Sequence, residues 1–358
     1  MTEFVWHSSF TSLTGYSGSS RALVLALRDQ GRAVRPLYLF DSDDREATLF
    51  GVGDPQIAAL QALPLRLDVP QVVYGRGDLF AKNSGRYRLG FTMLEVDRLP
   101  STWVAQANLM DEVWTPTAWG AAMFRASGVT RPVHVVPLGV DLATFRPAPA
   151  RERLAERTIF LSVFEWGRRK GWDLLLSAYR AAFRPDDPVL LLLKLDCRTP
   201  ATNPLRELHA ALPAPAPPVG ILYNRALTAP QLAELYQSVD CFVLPSRGEG
   251  WCMPALEAMA CGVPAIVTDW SGPTAFLTEA CGYPLAVRRM VPADLHEPLY
   301  RGAQWAEPDH DHLVALLRHV HLHRDEARAR GQAAVLEAQR WSWAAAADVI
   351  TQRLAALT

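Results

Sequence analysis

At 358 residues the chain exceeds what one hydrophobic core fills, because cores stop growing at about 250–300 residues, so two domains of ordinary size are expected. Apolar residues make up 49% and charged residues 20%, a globular balance that excludes a disordered or fibrous chain. The 36 basic and 37 acidic residues nearly cancel to a formal charge of −1. No global attraction to nucleic acid or to an anionic membrane follows, and any anion site must be local.

The five cysteines, Cys197, Cys241, Cys252, Cys261 and Cys281, all lie in the second half. Their odd number and the lack of a CxxC pair fit neither a disulfide framework nor a zinc site, and a reducing, cytoplasmic setting is expected. Cys241 and Cys261 sit in apolar runs and read as small core residues. The start, MTEFVWHSSF, lacks the basic and long apolar regions of a signal peptide. The longest apolar run, Val189–Leu193, is far short of the ~20 residues a spanning helix needs. No transmembrane segment is expected, and peripheral membrane contact stays open.

In chain order, short β-branched or apolar runs alternate with segments of helical period, the grammar of βαβ units with parallel sheets. EFVWHS reads as a strand, followed by a Gly/Ser-rich turn over Thr14–Ser20 and a helix Ser20–Gln30 ended by Gly31. AVRPLYLF, QVVYG, RYRLGFTML, DEVWT and VHVVP are further strands, with helices from Ser101 and Thr117 between the last three. Around Phe145–Arg153 the pattern stops, and proline-rich FRPAPARER reads as a linker. A second series follows: RTIFLSV, VLLLLKL, VGILY, CFVLP and PAIVT, separated by helices from Gly171, Asn203, Thr228, Pro254 and Gly272. The stretch from Ala315 onward reads as helices without a strand. Two Rossmann-like domains with parallel sheets facing across a cleft is the simplest α/β architecture.

The segment CFVLPSRGEGWCMPALEAMACGVPAIVTDWSGPTAFL carries most of the functional signal. A buried strand empties into a polar loop, and Pro254 suits a first helical turn that Gly262-Val263-Pro264 later stops. Ligands of doubly wound sheets bind outside the carboxyl ends of the strands, and a helix start there suits a phosphate. Glu249 falls in the loop and Glu257, eight positions on, about one turn into the helix. Carboxylates are strong acceptors for sugar and ribose hydroxyls, although an acid near a helix start also serves as a simple cap.

This segment resembles the retaining GT-B glycosyltransferases of family 4, whose signature is PSxxEGFGxxxLEAMACGxPVI. VPLGVDLATFRP, SVFEWGRRKGWDLLLSAY, LTAPQLAELYQSVDCFVLPS and the closing WSW are similar to other stretches of that family. Residues 132–277 match well, and residues 1–131 match only in grammar and in the Gly/Ser turn. The resemblance implies that Glu249 contacts donor-sugar hydroxyls, that Glu257 contacts the nucleotide ribose, and that the amides of Gly250, Trp251 and Cys252 meet the phosphates. The family has glycine where this chain has Cys252.

The resemblance further implies that Lys170 neutralises the leaving diphosphate. The family's companion arginine is Glu165 here, and a carboxylate facing a diphosphate at close range costs several kcal/mol, so Glu165 is expected to point elsewhere. Arg168 and Arg169 are the expected replacements, since arginine grips phosphate bidentately. Read alone, the run RRK is equally a solvated basic turn.

In the first half, Gly15 and Gly18 would let backbone approach a ligand, or simply form a tight turn. The family's first-domain histidine is missing. Glu95 or Asp97 stands in its expected place as an acceptor-orienting base, Asp97 or Glu95 equally pairing with Arg98, and His7 is a rival. His134 reads as structural, the histidines of HVHLHRD are not expected to bind a metal, and Trp103, Trp114 and Trp119 read as core.

What the resemblance implies is a retaining, metal-independent transferase that uses a nucleotide-sugar donor, UDP- or GDP-linked, and an acceptor that the residues do not identify. No other cofactor and no nucleic-acid partner is expected. The implied division is residues 1–148 on the acceptor side, 152–335 on the nucleotide-sugar side, and 336–358 as a helix returning to the first domain. The rival readings are a non-catalytic relative that keeps the fold, supported by Glu165, Cys252 and the missing histidine, and a sugar-nucleotide epimerase.

Overall fold

The computed structural model describes residues 3–12, 14–39, 54–148, 157–197, 202–293 and 298–357. The chain divides into two compact units, Met1–Gly139 with Trp341–Thr358, and Val140–Arg340. Residues 149–156, where most of the expected linker falls, lie outside the described residues.

The first unit is built on strands β1 (Phe4–Ser8), β2 (Val34–Tyr38), β3 (Gln71–Tyr74), β4 (Arg88–Phe91), β5 (Glu112–Thr115) and β6 (Val133–Val135). They form one sheet in the order β2-β1-β3-β4-β5-β6, and every pairing is parallel. All residues of β1, β3 and β5 are buried, as expected for parallel strands covered on both faces. Pro36 is tolerated because β2 is an edge strand. The order reverses between β1 and β3, which makes their carboxyl ends the switch point of this unit.

The first helix spans Gly15–Asp29, five residues earlier than expected. Thr14 caps it by accepting from the Ser17 amide, and the serines that suggested a turn are buried inside it. Ser20 bonds Ser8 at 2.6 Å and Ser19 bonds the Tyr74 hydroxyl at 2.8 Å, so tertiary bonds override weak helix propensity. A second correction concerns β4, which ends at Phe91 and leaves Glu95 and Asp97 in the following loop. Trp103 and Trp114 are buried in the core, whereas Trp119 is half-exposed.

The closing helix Trp343–Ala355 belongs to this unit. Gln30 donates to Asp348 at 2.8 Å, and Arg353 meets the buried Glu112 carboxylate at 2.5 Å. Glu112 also accepts from Trp114 Nε1 at 2.7 Å and lies 3.5 Å from His134. Gly139 is required here because a Cβ would overlap the backbone of Trp343.

The second unit contains β7 (Thr158–Glu165), β8 (Val189–Asp196), β9 (Val219–Tyr223), β10 (Cys241–Leu244), β11 (Ala265–Thr268) and β12 (Tyr283–Leu285). Its sheet runs β12-β11-β10-β7-β8-β9, again wholly parallel. Read from β9, this is the 3-2-1-4-5-6 order of dinucleotide-binding folds, with its switch point between β7 and β10. Helices Trp172–Ala182, Pro204–Ala211, Ala229–Gln237 and Met253–Ala260 connect the strands. Thr228 and Gln231 form a reciprocal capping box on the third of these. The helix expected from Gly272 is instead a single 3-10 turn, Gly272–Ala275.

An antiparallel hairpin of β13 (Val287–Pro292) and β14 (Gln304–Pro308), absent from the sequence reading, follows β12. Helices His310–Leu322 and Arg324–Ala338 complete the unit. Cys241 and Cys261 are buried, as their apolar context suggested.

Removing Arg353 would leave Glu112 short of its cationic partner inside the sheet. Arg353→Met is therefore expected to cost the first unit about 1–3 kcal/mol, less than a wholly buried pair because the guanidinium is 29% exposed, as read by urea unfolding.

Candidate functional site in the second unit

Two buried charged residues of the second unit, Arg247 and Glu249, lie at the switch point. After β7 the chain turns through Trp166 and Gly167 into a 3-10 turn, Arg168–Lys170. Gly171 then adopts φ +66 and starts the next helix. A Cβ at Gly171 would overlap the carbonyl oxygen of Pro245, so only glycine serves both the left-handed backbone and the close approach. The adjoining Trp166 and Trp172 rings stack at 4.3 Å.

The loop after β10 runs from Pro245 to Cys252 and is buried through Glu249. The Arg247 amide donates to the Arg169 carbonyl at 2.6 Å, and the Arg169 guanidinium donates to the Gly248 carbonyl at 2.6 Å. The two loops are thus bonded to each other directly.

Glu249 sits at their junction, 6% exposed. Its Oε1 accepts from Lys170 Nζ at 2.6 Å and from Arg169 at 3.2 Å. Burial alone would raise this carboxyl, but Lys170 and then Arg169 outweigh it and hold Glu249 below its ordinary value. Its backbone is pinned as well: the amide donates to Ser271 Oγ at 3.0 Å, and its carbonyl accepts from Gly272 at 2.9 Å. A Cβ on Gly272 would come within 2.7 Å of the Gly250 carbonyl carbon and the Trp251 nitrogen, so a side chain there would push the loop out.

Gly250 is partly exposed, and Trp251 is buried against Phe276 at 5.4 Å. Cys252 caps the helix Met253–Ala260 at φ +78, a conformation that costs a side-chain-bearing residue about 1–2 kcal/mol. Its thiol is buried and raised well above its ordinary range, by burial first and by the Glu249 charge second. Glu257 lies one turn into the helix and accepts from the buried Tyr236 hydroxyl at 3.0 Å. Burial pushes Glu257 up to about 7, against the lowering effect of that hydrogen bond. Cys252 bears electrostatically on Tyr236 and is itself acted on by Glu249, Lys170 and Arg169, so these residues share one neighbourhood.

Of the other residues read from the sequence, Arg168 is exposed on the loop and Glu165 lies exposed at the end of β7. In the first unit, Gly15 is the first residue of the opening helix. Asp97 pairs with Arg98 at 3.2 Å. Tyr16, whose hydroxyl lies 3.4 Å from Thr92 Oγ1, has its pKa raised by burial first and by the Glu95 charge to a lesser degree, so Glu95 lies near the carboxyl end of β4. His7 is buried in β1, its ring held between Gln71 at 3.1 Å and the Tyr38 carbonyl at 3.0 Å, and burial lowers its pKa. It is the penultimate residue of β1.

His319 pairs with Glu326 at 2.8 Å and His321 bonds Thr158 at 2.9 Å. Among the described residues, no cluster of three His, Cys, Asp or Glu side chains suits a metal ion, and no helix is long and apolar enough to cross a membrane. Sequence reasoning missed Arg247, Ser271 and Tyr236. Arg247 stands within PSRGEGW, but its carboxylate partners lie 74 and 60 positions away and carry no local signal.

Residues 155–297 match the family model for glycosyl transferases group 1. D-inositol 3-phosphate glycosyltransferase of Segniliparus rotundus is 31% identical over 226 residues, covering 60% of this chain and 45% of that protein. The chain spans about half the length of the curated relatives it matches. Among solved structures, sucrose-phosphate synthase from Thermosynechococcus elongatus has a TM-score of 0.73 at 16% identity, covering 100% of this chain and 99% of that one. Anabaena Alr3699/HepE, in complex with UDP and glucose, has a TM-score of 0.73 at 13% identity, covering 99% and 100%.

Over residues 155–297 the chain is similar to glycosyl transferases group 1. At such low identity the structural neighbours establish the fold, which is GT-B with two Rossmann-like units. The matched segment contains both loops of the switch point, from Arg168 to Cys252.

Two outcomes test the local physics. Gly171→Ala adds left-handed strain and an overlap with Pro245, and should cost more than about 2 kcal/mol by chemical unfolding. Glu257 is protonated more readily in the fold than in the unfolded chain, whose ordinary value is 4.5. Stability is therefore penalised as pH rises between about 4.5 and 7, and fully so above 7. Glu257→Gln should gain stability relative to wild type from pH 5 to pH 8, by about 1–2 kcal/mol, in paired thermal scans.

Proposed function

We propose that this protein transfers a sugar from a nucleotide-sugar donor, UDP- or GDP-linked, to an acceptor hydroxyl, with retention at the anomeric carbon and without a metal. The carrying observation is Glu249, a carboxylate kept ionised inside the protein by Lys170 and Arg169 at the switch point of a sheet with the strand order of dinucleotide-binding folds. The Anabaena neighbour with UDP and glucose bound supports the donor class.

In this reading Lys170, with Arg168 and Arg169, neutralises the diphosphate as it departs. Fixed cations aimed at developing charge need no reorganisation during the reaction, which is where such sites gain most of their rate. Glu249 accepts hydrogen bonds from the sugar hydroxyls, Glu257 accepts from the ribose, and the amides of Gly250, Trp251 and Cys252 face the phosphates at a helix start. An oxygen of the leaving phosphate helps to take the acceptor's proton during front-face attack. Glu95 and Gly15 are assigned to the first unit's share of the reaction, with Glu95 orienting the acceptor.

The donor is tested by incubating the full chain with UDP-, GDP- and ADP-sugars and following slow hydrolysis. Turnover of at least one is expected, and a failure of all to bind or react sinks the proposal. With the donor that reacts, Lys170→Ala should lower kcat about 100-fold or more. Glu249→Gln should keep the affinity for the nucleoside diphosphate and lose the additional affinity contributed by the sugar, as read by calorimetry. An equal loss for both ligands contradicts the role given to Glu249.

A second reading, a non-catalytic relative that binds the donor, is favoured by one observation: Cys252 places a side chain on left-handed backbone at the helix start. Donor binding without hydrolysis or transfer would select it.

A further inference from the structure

Arg247 stands two residues from Glu249, in a loop full of groups suited to phosphate, yet its guanidinium is turned away from any such use. It is 3% exposed. NH1 and NH2 donate to the two carboxylate oxygens of Asp173, each at 2.9 Å. Nε and NH2 donate to Glu307 at 2.7 and 3.2 Å, and NH1 also donates to the Arg168 carbonyl at 2.6 Å. A guanidinium has five N–H donors, and these five bonds use them all. Burial works against the charge, but Asp173 and Glu307 outweigh it and raise the pKa.

The partners come from three segments. Asp173 is in the first turn of the helix after the basic loop, Arg168 is in that loop, and Glu307 is on β14 of the hairpin. The Arg247 backbone joins the same segments, donating to Arg169 O at 2.6 Å and accepting from the Ala306 amide at 3.0 Å. The carbonyls of Arg168 and Arg169 are therefore both held by one residue, which fixes the turn that carries Lys170.

We propose that Arg247, clamped by Asp173 and Glu307, is a positioning residue that sets the Arg168–Lys170 turn against Glu249 and ties the β13–β14 hairpin to the site, without touching the donor. This rests on the donor reading above, in which that turn neutralises the diphosphate. Arginine is required because a lysine has three donors on one atom and cannot make the five bonds, four of them in two bidentate pairs, that the planar guanidinium makes here.

The test uses the full chain and the nucleotide sugar that wild type hydrolyses, with Arg247→Lys, Glu307→Gln and the double variant, each checked for folding by thermal unfolding. Arg247→Lys keeps the charge and should lower kcat about tenfold or more while the donor KM moves less than about threefold. Glu307→Gln should lower kcat by about threefold, and add little in the Arg247→Lys background because both act through one clamp. A folded Arg247→Lys with kcat within about twofold of wild type overturns the proposal, as does a loss confined to KM, which would make Arg247 a donor-binding group. If Arg247→Lys does not fold, Glu307→Gln decides alone: its carboxylate is partly exposed, and an unchanged kcat overturns the clamp. Wild type that neither binds nor hydrolyses any donor overturns the reading beneath, a result distinct from each of these.

Discussion

Burying opposite charges at the ends of β7 and β10 constrains this structure more than any other interaction. An ionised group cut off from water is unfavourable by several kcal/mol unless partners surround it, and the β10 loop buries two such groups within three residues, Arg247 and Glu249. The cations for Glu249 and the carbonyl ties for Arg247 come from the β7 loop, so the two loops must close on each other. Strand order makes this possible, because β7 and β10 are neighbours at the point where the order of the strands reverses. The backbone then has little freedom: Gly171 passes the Pro245 carbonyl, and Gly272 lies against Gly250 and Trp251.

The same closure separates the charged side chains by role. Arg247 has its donors committed to protein, while Arg168, Arg169 and Lys170 stand on the turn it supports. The two acids are likewise set apart by environment. Glu249, beside two cations, is held in its charged form, whereas Glu257, half-buried beside a tyrosine hydroxyl, is pushed up to about 7. Pairs of carboxyl groups driven in opposite directions are characteristic of sites where each has a separate task.

Much of the second unit was legible because its local and long-range preferences agree. Thr228 with Gln231, Asn203 before Pro204, and Pro254 after the polar loop all mark helix starts that exist. The first unit was harder to read. Gly15–Ser20 looks like a turn by propensity and is helical because Ser8 and Tyr74, distant in the chain, satisfy its hydroxyls. The apolar run to Leu94 suggested a longer strand, but β4 has parallel partners only as far as Phe91. The β13–β14 hairpin escaped notice because β13 is mostly exposed and shows no buried alternation.

From the sequence alone came the α/β grammar, the acids at 249 and 257 and the basic turn at 168–170, whereas Gly171 and Gly272 were read only as helix starts and not as the close passages they are. These follow from local rules: period, capping and the conformational range of individual residues. Tertiary structure decided which charges meet. That Asp173, Glu307 and Arg247 form one cluster, that His7 is locked in a sheet, and that Glu257 is shielded by Tyr236 depend on separations of 21 to 74 residues. Electrostatic energy depends on distance and burial in three dimensions, and neither quantity is encoded by neighbours along the chain.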